Sequence, residues 1–179
     1  MLYRKMKKAA PELSILGFGC MRLPQKENGE IDEETATGML RYAIHHGVNY
    51  VDTAYPYHNG ASEPFVGRAL AGGYREKVNL ATKLPSWLIK SREDMDKYLD
   101  EQLARLRTDA IDFYLVHGLN RPFWENLTSL GVTDFLSDAI ADGRIRYAGF
   151  SFHDNTKVFK EIVKSYDWTF AQIQYNFMD

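Results

Sequence analysis

The sequence predicts an α/β fold built on a parallel sheet. Short apolar segments rich in β-branched and aromatic residues alternate with segments of helical periodicity. The strand-like segments recur roughly every 25–35 residues, which is the spacing of βα units. Six units follow one another without a linker or a change in composition, so we predict one domain over residues 1–179. The predicted strands are residues 13–21, 49–55, 78–84, 111–116, 145–151 and 170–175.

The composition excludes several classes of function. The chain has 179 residues, 45% of them hydrophobic, and a formal net charge of −2. This charge balance gives no electrostatic reason to expect nucleic acid or an anionic membrane as a partner. The single cysteine, Cys20, excludes an internal disulfide framework, and no signal-peptide core or run of ~18 apolar residues is present. We therefore expect a cytoplasmic protein.

Capping residues mark where the predicted helices begin and end. Asp32, followed by two glutamates, begins a helix that Gly47 ends. Further helix starts are expected at Ser62 with Pro64, at Ser91 with Asp94 as a capping box, and at Asp154 or Asn155, and another helical stretch ends at Gly143.

Two architectures fit this order of elements: a doubly wound sheet and most of a (β/α)8 barrel. The first βα turn lacks the glycine-rich fingerprint of dinucleotide-binding doubly wound sheets, which favours the barrel. In both architectures the connections bring the C-terminal ends of the strands to one end of the sheet, and ligands bind there.

Polar residues stand at that end on three successive strands. Pro56 cannot donate to a strand ladder, so pairing of the second strand should stop at about Tyr55. This leaves Asp52 and Tyr57 at the ligand-binding end, with Lys83 and His117 at the ends of the next two strands. Each of these residues alone is more often a cap, a packing residue or a solvent-exposed end. Their shared position predicts a functional site.

Strand alternation predicts where the lysine points. Residues 79, 81 and 83 share one face of the third strand, and residues 78, 80, 82 and 84 share the face that helices would cover. Lys83 therefore faces away from the helices, where an unpaired ammonium is costly. Asp52 on the neighbouring strand is the expected counter-ion.

This group of residues suits the protonation of an oxygen. A phenol is a weak acid, and a cationic Lys83 beside Tyr57 would favour the phenolate. Asp52 would hold Lys83 charged and in place, and His117 could polarise a carbonyl by hydrogen bonding. Carbonyl reduction by hydride transfer requires such a proton donor.

The same residues resemble the aldo-keto reductases, a family of nicotinamide-dependent (β/α)8 barrels. The matching segments, in order and spacing, are Asp52-Thr53-Ala54 followed by Tyr57, Ala81-Thr82-Lys83-Leu84, Asp112-Phe113-Tyr114-Leu115-Val116-His117 and Gly149-Phe150-Ser151. The resemblance implies that Tyr57 is the proton donor and that Asp52, Lys83 and His117 complete a catalytic tetrad.

The resemblance also implies a cofactor, NADP(H) or NAD(H), and a small-molecule carbonyl substrate. Ser151 and Gln172 would bind the nicotinamide carboxamide, and Met21 with Asp52 would line the nicotinamide ribose. Trp87, after the third strand, would form a wall of the substrate pocket. No histidine shows a spacing with carboxylates that indicates a metal site.

The sequence departs from the family pattern in two places. Phe152 stands where the family usually has asparagine, which removes one expected carboxamide contact. The chain also ends just past the sixth strand, whereas the family barrel has two further βα units. The resemblance thus implies an incomplete barrel, truncated after that strand, whose open edges would pair in a dimer or be completed by a missing C-terminal segment.

The sequences of residues 55–60 and 149–154 resemble those of one branch of the family. Members of that branch often carry a C-terminal iron–sulfur module similar to a ferredoxin. A cluster is expected only in such a missing part, because this chain lacks the cysteines. Three functional hypotheses stay open: a carbonyl reductase, a non-catalytic cofactor-binding or interaction subunit of the same fold, and an inactive fragment.

Overall fold

The computed structural model describes residues 1–9 and 11–176. An antiparallel hairpin precedes a six-stranded parallel sheet in which each strand pairs with its neighbour in sequence. The hairpin consists of β1 (Tyr3–Lys5) and β2 (Glu12–Ser14), and the sheet consists of β3 (Phe18–Gly19), β4 (Tyr50–Asp52), β5 (Asn79–Leu84), β6 (Ile111–Leu119), β7 (Ile145–Phe152) and β8 (Phe170–Ile173).

Six α-helices connect and cover the strands in the described part of the chain. They are α1 (Glu33–His45), α2 (Ser62–Ala69), α3 (Arg92–Leu106), α4 (Arg121–Ser129), α5 (Val132–Ala141) and α6 (Thr156–Ser165). Among these helices, none is long and apolar enough to span a membrane.

The predicted caps at Asp32, at Ser91 with Asp94, and at Asn155 are confirmed, whereas α2 begins at Ser62 without a side-chain cap, because its N-cap residue is Ala61. The Asp32 side chain accepts a hydrogen bond from the Thr35 amide, and Asn155 caps α6 by accepting from the amides of Lys157 and Val158. The Asp94 carboxylate accepts from the Ser91 amide at 3.0 Å, as a capping box requires. Local side-chain chemistry therefore sets these helix starts.

The prediction of one strand over residues 13–21 is wrong. Glu12–Ser14 pairs antiparallel with β1, and only Phe18–Gly19 joins the parallel sheet. The Ser14 amide donates to the Asn49 side chain at 2.8 Å, which holds the chain where it changes partners. An apolar run shows that a segment is buried but does not show which strand it pairs with.

Other boundaries also differ from the prediction. The second predicted strand, β4, ends at Asp52, and one further bond from the Thr53 amide to the Ala81 carbonyl continues its pairing. The last strand ends at Ile173 rather than at residue 175. Helix α4 was not predicted, although its Asn120 cap accepts from the Phe123 amide.

The sheet forms a half-barrel with two different faces. The helix-facing side packs against the main core, which includes Leu80 and Tyr114. The inner side carries a smaller cluster of Ala81, Phe113 and Leu115, against which the partly buried Phe170 packs. The N-terminal hairpin lies against this inner side, because Ala9 belongs to the same cluster and the partly buried Met6 and Leu13 pack against it.

One contact joins the N-terminal segment to the far strand. Lys8 forms an ion pair with Asp167, and its Nζ donates to the Trp168 carbonyl at 3.1 Å. Both partners directly precede β8. The N-terminal segment therefore reaches from the first strand of the sheet to the last.

Candidate active site

Lys83 and Asp52 form a buried ion pair on the inner side of the sheet. β4 and β5 are in register at Asp52 and Ala81, which brings the two side chains together. The Lys83 Nζ lies 2.9 and 2.8 Å from the two Asp52 carboxylate oxygens and 2.7 Å from the Thr53 carbonyl oxygen. Lys83 is only 2% exposed, so the predicted counter-ion is confirmed.

The same ammonium contacts the phenol of Tyr57. Lys83 Nζ lies 3.3 Å from the Tyr57 hydroxyl oxygen and 4.9 Å from the centre of its ring. An ammonium can only donate hydrogen bonds, so the phenol oxygen is the acceptor of this contact. The phenolic hydrogen therefore points away from Lys83 and is free to donate to another oxygen.

Burial raises the pKa of Asp52, while the charge and hydrogen bond of Lys83, and a hydrogen bond from the Gln172 side chain, oppose this rise. The negative charge of the carboxylate thus depends on the lysine beside it. The ion pair and the side chain of β8 belong to one connected polar group.

His117 lies on the inner face, where burial, Lys83 and His153 lower its pKa to about 3. The imidazole is therefore neutral near pH 7 and acts as a hydrogen-bonding group rather than a proton source. Within the described residues its Nδ1 is buried and has no hydrogen-bond partner. The Ser86 hydroxyl donates to the His117 carbonyl at 2.7 Å and fixes the main chain there.

An aromatic wall surrounds the histidine. The Trp87 ring stands edge-on to His117 at 5.2 Å between centroids, and the Tyr57 ring does so at 6.2 Å. Trp87 is 41% exposed and thus has a free surface beside the two polar rings. The structure brings these three predicted residues together.

The predicted cofactor-binding residues lie at the same end of the sheet. Ser151 is buried and pairs in register with Gln172 on β8. The Ser151 hydroxyl oxygen accepts from the Gly118 amide at 2.7 Å, which leaves its hydrogen available to an acceptor. Met21 is 59% exposed, in the turn Cys20–Arg22 that follows β3.

These donors and acceptors fit a nicotinamide amide. The Ser151 hydroxyl can donate to a carboxamide oxygen. The Gln172 amide nitrogen is the group able to donate to Asp52, which leaves its amide oxygen able to accept from a carboxamide nitrogen. Phe152 contributes nothing polar, because it faces the helices and packs against Phe159 at 5.2 Å between ring centroids.

One buried polar network escaped the sequence interpretation. Glu63 on α2 is fully buried, and its Oε1 accepts from the Thr82 hydroxyl and from the Gln102 amide, both at 2.6 Å. The Gln102 amide also donates to the Lys83 carbonyl at 3.0 Å. The sequence contains one signal that could have indicated this network. Glu63 lies in the first turn of a short helix that begins directly after the turn Tyr57–Gly60.

Across ranges 1–9 and 11–176, no group of three or more histidine, cysteine, aspartate or glutamate side chains could hold a metal ion.

The fold and the site together define a class of protein. It is an α/β half-barrel in which a buried lysine contacts the phenol of a tyrosine at the C-terminal ends of parallel strands.

The chain belongs to the aldo/keto reductase family, whose family model matches residues 15–179. It is 30% identical over 185 residues to the uncharacterized oxidoreductase YqkF of Bacillus subtilis (strain 168), covering 98% of this chain and 56% of the relative. The chain spans about half the length of the curated relatives it matches, between 42% and 56%.

Solved structures show the same fold. The aldo-keto reductase of Bacillus halodurans in its holo form superimposes with a TM-score of 0.82 at 30% identity, covering 98% of this chain and 58% of that one. An aldo/keto reductase of Klebsiella pneumoniae, solved in complex with NADP and acetate, gives a TM-score of 0.72 at 26% identity, covering 87% of this chain and 51% of that one.

Proposed function

We propose that this chain carries the catalytic centre of an NAD(P)H-dependent carbonyl reductase. The observation that carries the proposal is the buried Lys83 ammonium, held by Asp52, with the Tyr57 phenol oxygen as a further acceptor at 3.3 Å. This arrangement places a positive charge beside the phenol oxygen and directs the phenolic hydrogen away from the lysine. It suits a proton donor to a carbonyl oxygen that gains negative charge.

Each residue of the tetrad has a separate role in this proposal. A reduced nicotinamide held by Ser151 and Gln172 would supply a hydride to the carbonyl carbon. Tyr57 gives its proton to the carbonyl oxygen, which becomes the alcohol oxygen, and Lys83 stabilises the phenolate that is left. Asp52 holds Lys83 in place, and neutral His117 donates a hydrogen bond that orients the carbonyl oxygen.

In the same proposal Ser151 and Gln172 bind the nicotinamide carboxamide, and Met21 with Asp52 contacts the nicotinamide ribose. Trp87 forms a wall of the substrate pocket beside His117. The Klebsiella relative was solved with NADP, which supports a nicotinamide cofactor for this chain and favours NADP(H) over NAD(H).

Residues 1–179 would form one continuous domain within a (β/α)8 barrel. β3 and β8 each pair with one neighbour only in the described sheet, so a further segment of the protein, or the edge of a second copy, would complete it. An iron–sulfur cluster of the related branch would need ligands outside this sequence, because Cys20 is its only cysteine. We also propose a cytoplasmic location, in keeping with the family and the absence of a disulfide framework.

The test is Tyr57→Phe in the protein that carries this chain. We expect turnover of an aldehyde and ketone panel to fall by about 10³-fold, with NADPH affinity within a few-fold of wild type, because only the proton donor is lost. Tyr55→Phe is the matched control, since the Tyr55 hydroxyl lies 3.4 Å from Arg105, a residue of helix α3 on the opposite side of the sheet. Unchanged turnover in Tyr57→Phe would overturn the mechanism.

The same panel decides between the reductase and a non-catalytic subunit. A wild-type protein that binds NADPH but oxidises none of it with any carbonyl would support the binding subunit. A protein that binds neither NADPH nor NADH would support the inactive fragment.

A further inference from the structure

The His58 side chain links the turn that carries Tyr57 to residues 20–25, which follow β3 and are called the Met21 segment below. His58 Nε2 accepts a hydrogen bond from the Leu23 amide at 3.1 Å. Its other ring nitrogen, Nδ1, lies 3.3 Å from the Gln25 side-chain amide. Both nitrogens of the imidazole thus face the segment after β3, although His58 directly follows the tyrosine.

The turn itself has an unusual backbone. His58 and Asn59 adopt left-handed conformations, with φ angles of 52° and 54°, and Gly60 follows at 87°. Two consecutive non-glycine residues in this region cost conformational free energy and persist only where surrounding contacts hold them. The hydrogen bond from Leu23 is such a contact, and it lies one residue from the phenol.

The bond also fixes the role of one ring nitrogen. A backbone amide can only donate, so Nε2 must present its lone pair to Leu23. Leu23 is buried, so an amide left without this acceptor would be poorly solvated. A side chain without an acceptor at the Nε2 position therefore releases the segment from the turn.

We propose that His58 is a positioning residue that couples the Met21 segment to the Tyr57 phenol. Lys83 holds the phenol from the inner face of β5, and His58 holds its turn against the segment that lines the nicotinamide ribose. Binding of the cofactor against that segment therefore also positions the Tyr57 phenol, which is the proton donor. This inference rests on the proposed function, because it assigns the Met21 segment to the cofactor.

Two substitutions separate the hydrogen bond from the backbone conformation. His58→Asn keeps a residue that tolerates a left-handed conformation, but its side chain is too short to replace Nε2. His58→Gln places an amide oxygen near the Nε2 position and can accept from Leu23. His46→Asn, at the end of α1, controls for loss of a histidine elsewhere in the chain.

The first measurement is hydrogen exchange of the Leu23 amide by NMR. We expect about tenfold faster exchange in His58→Asn and a wild-type rate in His58→Gln and His46→Asn. NADPH affinity and kcat should each fall about tenfold in His58→Asn and return to within about threefold in His58→Gln. If His58 has only a structural role, the unfolding midpoint should fall in both His58 variants. The two variants should then not differ in Leu23 exchange, NADPH affinity or kcat.

Leu23 exchange and NADPH affinity do not require turnover, so they test the coupling even in a protein that reduces no carbonyl. Wild-type exchange and NADPH affinity in His58→Asn would overturn the inference and leave the Tyr57 mechanism intact. Equal losses in His58→Gln and His58→Asn would also overturn it, because the acceptor would then be irrelevant. If His58→Asn does not fold, the His58→Gln values alone decide: wild-type values support the coupling, and lost protection with weakened NADPH binding overturns it.

Discussion

The two faces of β5 carry buried carboxylates in opposite chemical settings. On the inner face, Asp52 pairs with the Lys83 cation. On the helix-facing side, Glu63 accepts from the neutral side chains of Thr82 and Gln102, and Arg105 lies farther away at 3.4 Å. Burial raises the pKa of both carboxyl groups.

The difference lies in which groups are left available. On the helix-facing side the donors and acceptors satisfy one another, down to the Tyr114 hydroxyl that donates to the Gln102 oxygen at 2.7 Å. On the inner face the Tyr57 oxygen accepts from Lys83, which leaves its hydrogen to donate elsewhere, and among the described residues the His117 Nδ1 has no hydrogen-bond partner. A satisfied network stabilises the fold, whereas an unsatisfied one can act on a ligand.

Removing the inner cation should have the largest effect. In Lys83→Met the Tyr57 phenol loses its stabilising charge, and we expect turnover to fall by more than about 10³-fold. The chain should still fold, because an unpaired Asp52 can take up a proton. Steady-state kinetics and the unfolding midpoint check both statements, with Lys97→Met on the exposed face of α3 as the control. Substantial turnover in Lys83→Met would show that the charged group of the inner face is not needed for turnover, which contradicts the proposed difference between the two faces.

Glu63→Gln should have the opposite effects to Lys83→Met, with a loss of stability and little change in turnover. The variant can keep an oxygen as acceptor for Thr82 and Gln102, but it loses the negative charge and places an amide nitrogen against the Arg105 guanidinium. We therefore expect the free energy of unfolding to fall by about 2 kcal/mol. Turnover per folded molecule should stay within about threefold of wild type. Urea unfolding and active-site titration measure the two quantities. A large loss of kcat at full stability would show that Glu63 acts in catalysis.

His117 gives the inner face a pH signature. Its pKa is about 3 in the folded chain and 6.5 when unperturbed, so the unfolded chain binds the additional proton between these values. Stability contributed by neutral His117 is present above about pH 6.5 and is lost as pH falls. We expect a loss of about 2 kcal/mol between pH 6.5 and pH 5. His117→Gln cannot titrate, so an unchanged pH slope of unfolding in that variant would refute this origin.

Tyr114→Phe should have the smallest effect. It removes one hydrogen bond on the helix-facing side, and we expect a loss of about 1 kcal/mol in unfolding free energy. Turnover should not change, because Gln102 keeps its bonds to Glu63 and to the Lys83 carbonyl. Paired urea curves and kcat values would detect a catalytic effect, which would contradict the separation of the two faces.

The placement of Lys83 could be predicted because strand alternation has only two outcomes. Once the helix-facing residues of β5 are recognised by their apolar neighbours, Lys83 must point to the inner side, and Asp52 is the nearest carboxylate on the adjoining strand. The helix caps at Asp32 and Asn155 were predictable for the same reason, since they depend on neighbouring residues alone.

Features set by distant partners could not be predicted in this way. Glu63 is an ordinary first-turn residue until α3 supplies Gln102, 39 residues away in sequence. The split after Ser14 depends on Asn49, 35 residues away. Helix α4 is different, because Asn120 and Pro122 are a local start signal that the sequence interpretation overlooked.

The strand order has a consequence for how the protein is made on the ribosome. Because every strand of the sheet pairs with its neighbour in sequence, each βα unit can dock on the preceding one as it emerges. The Lys83–Asp52 contact spans 31 residues and can form early in synthesis, whereas the Lys8–Asp167 contact spans 159. The nascent chain would therefore hold its charged centre long before its N-terminal segment is fastened to β8.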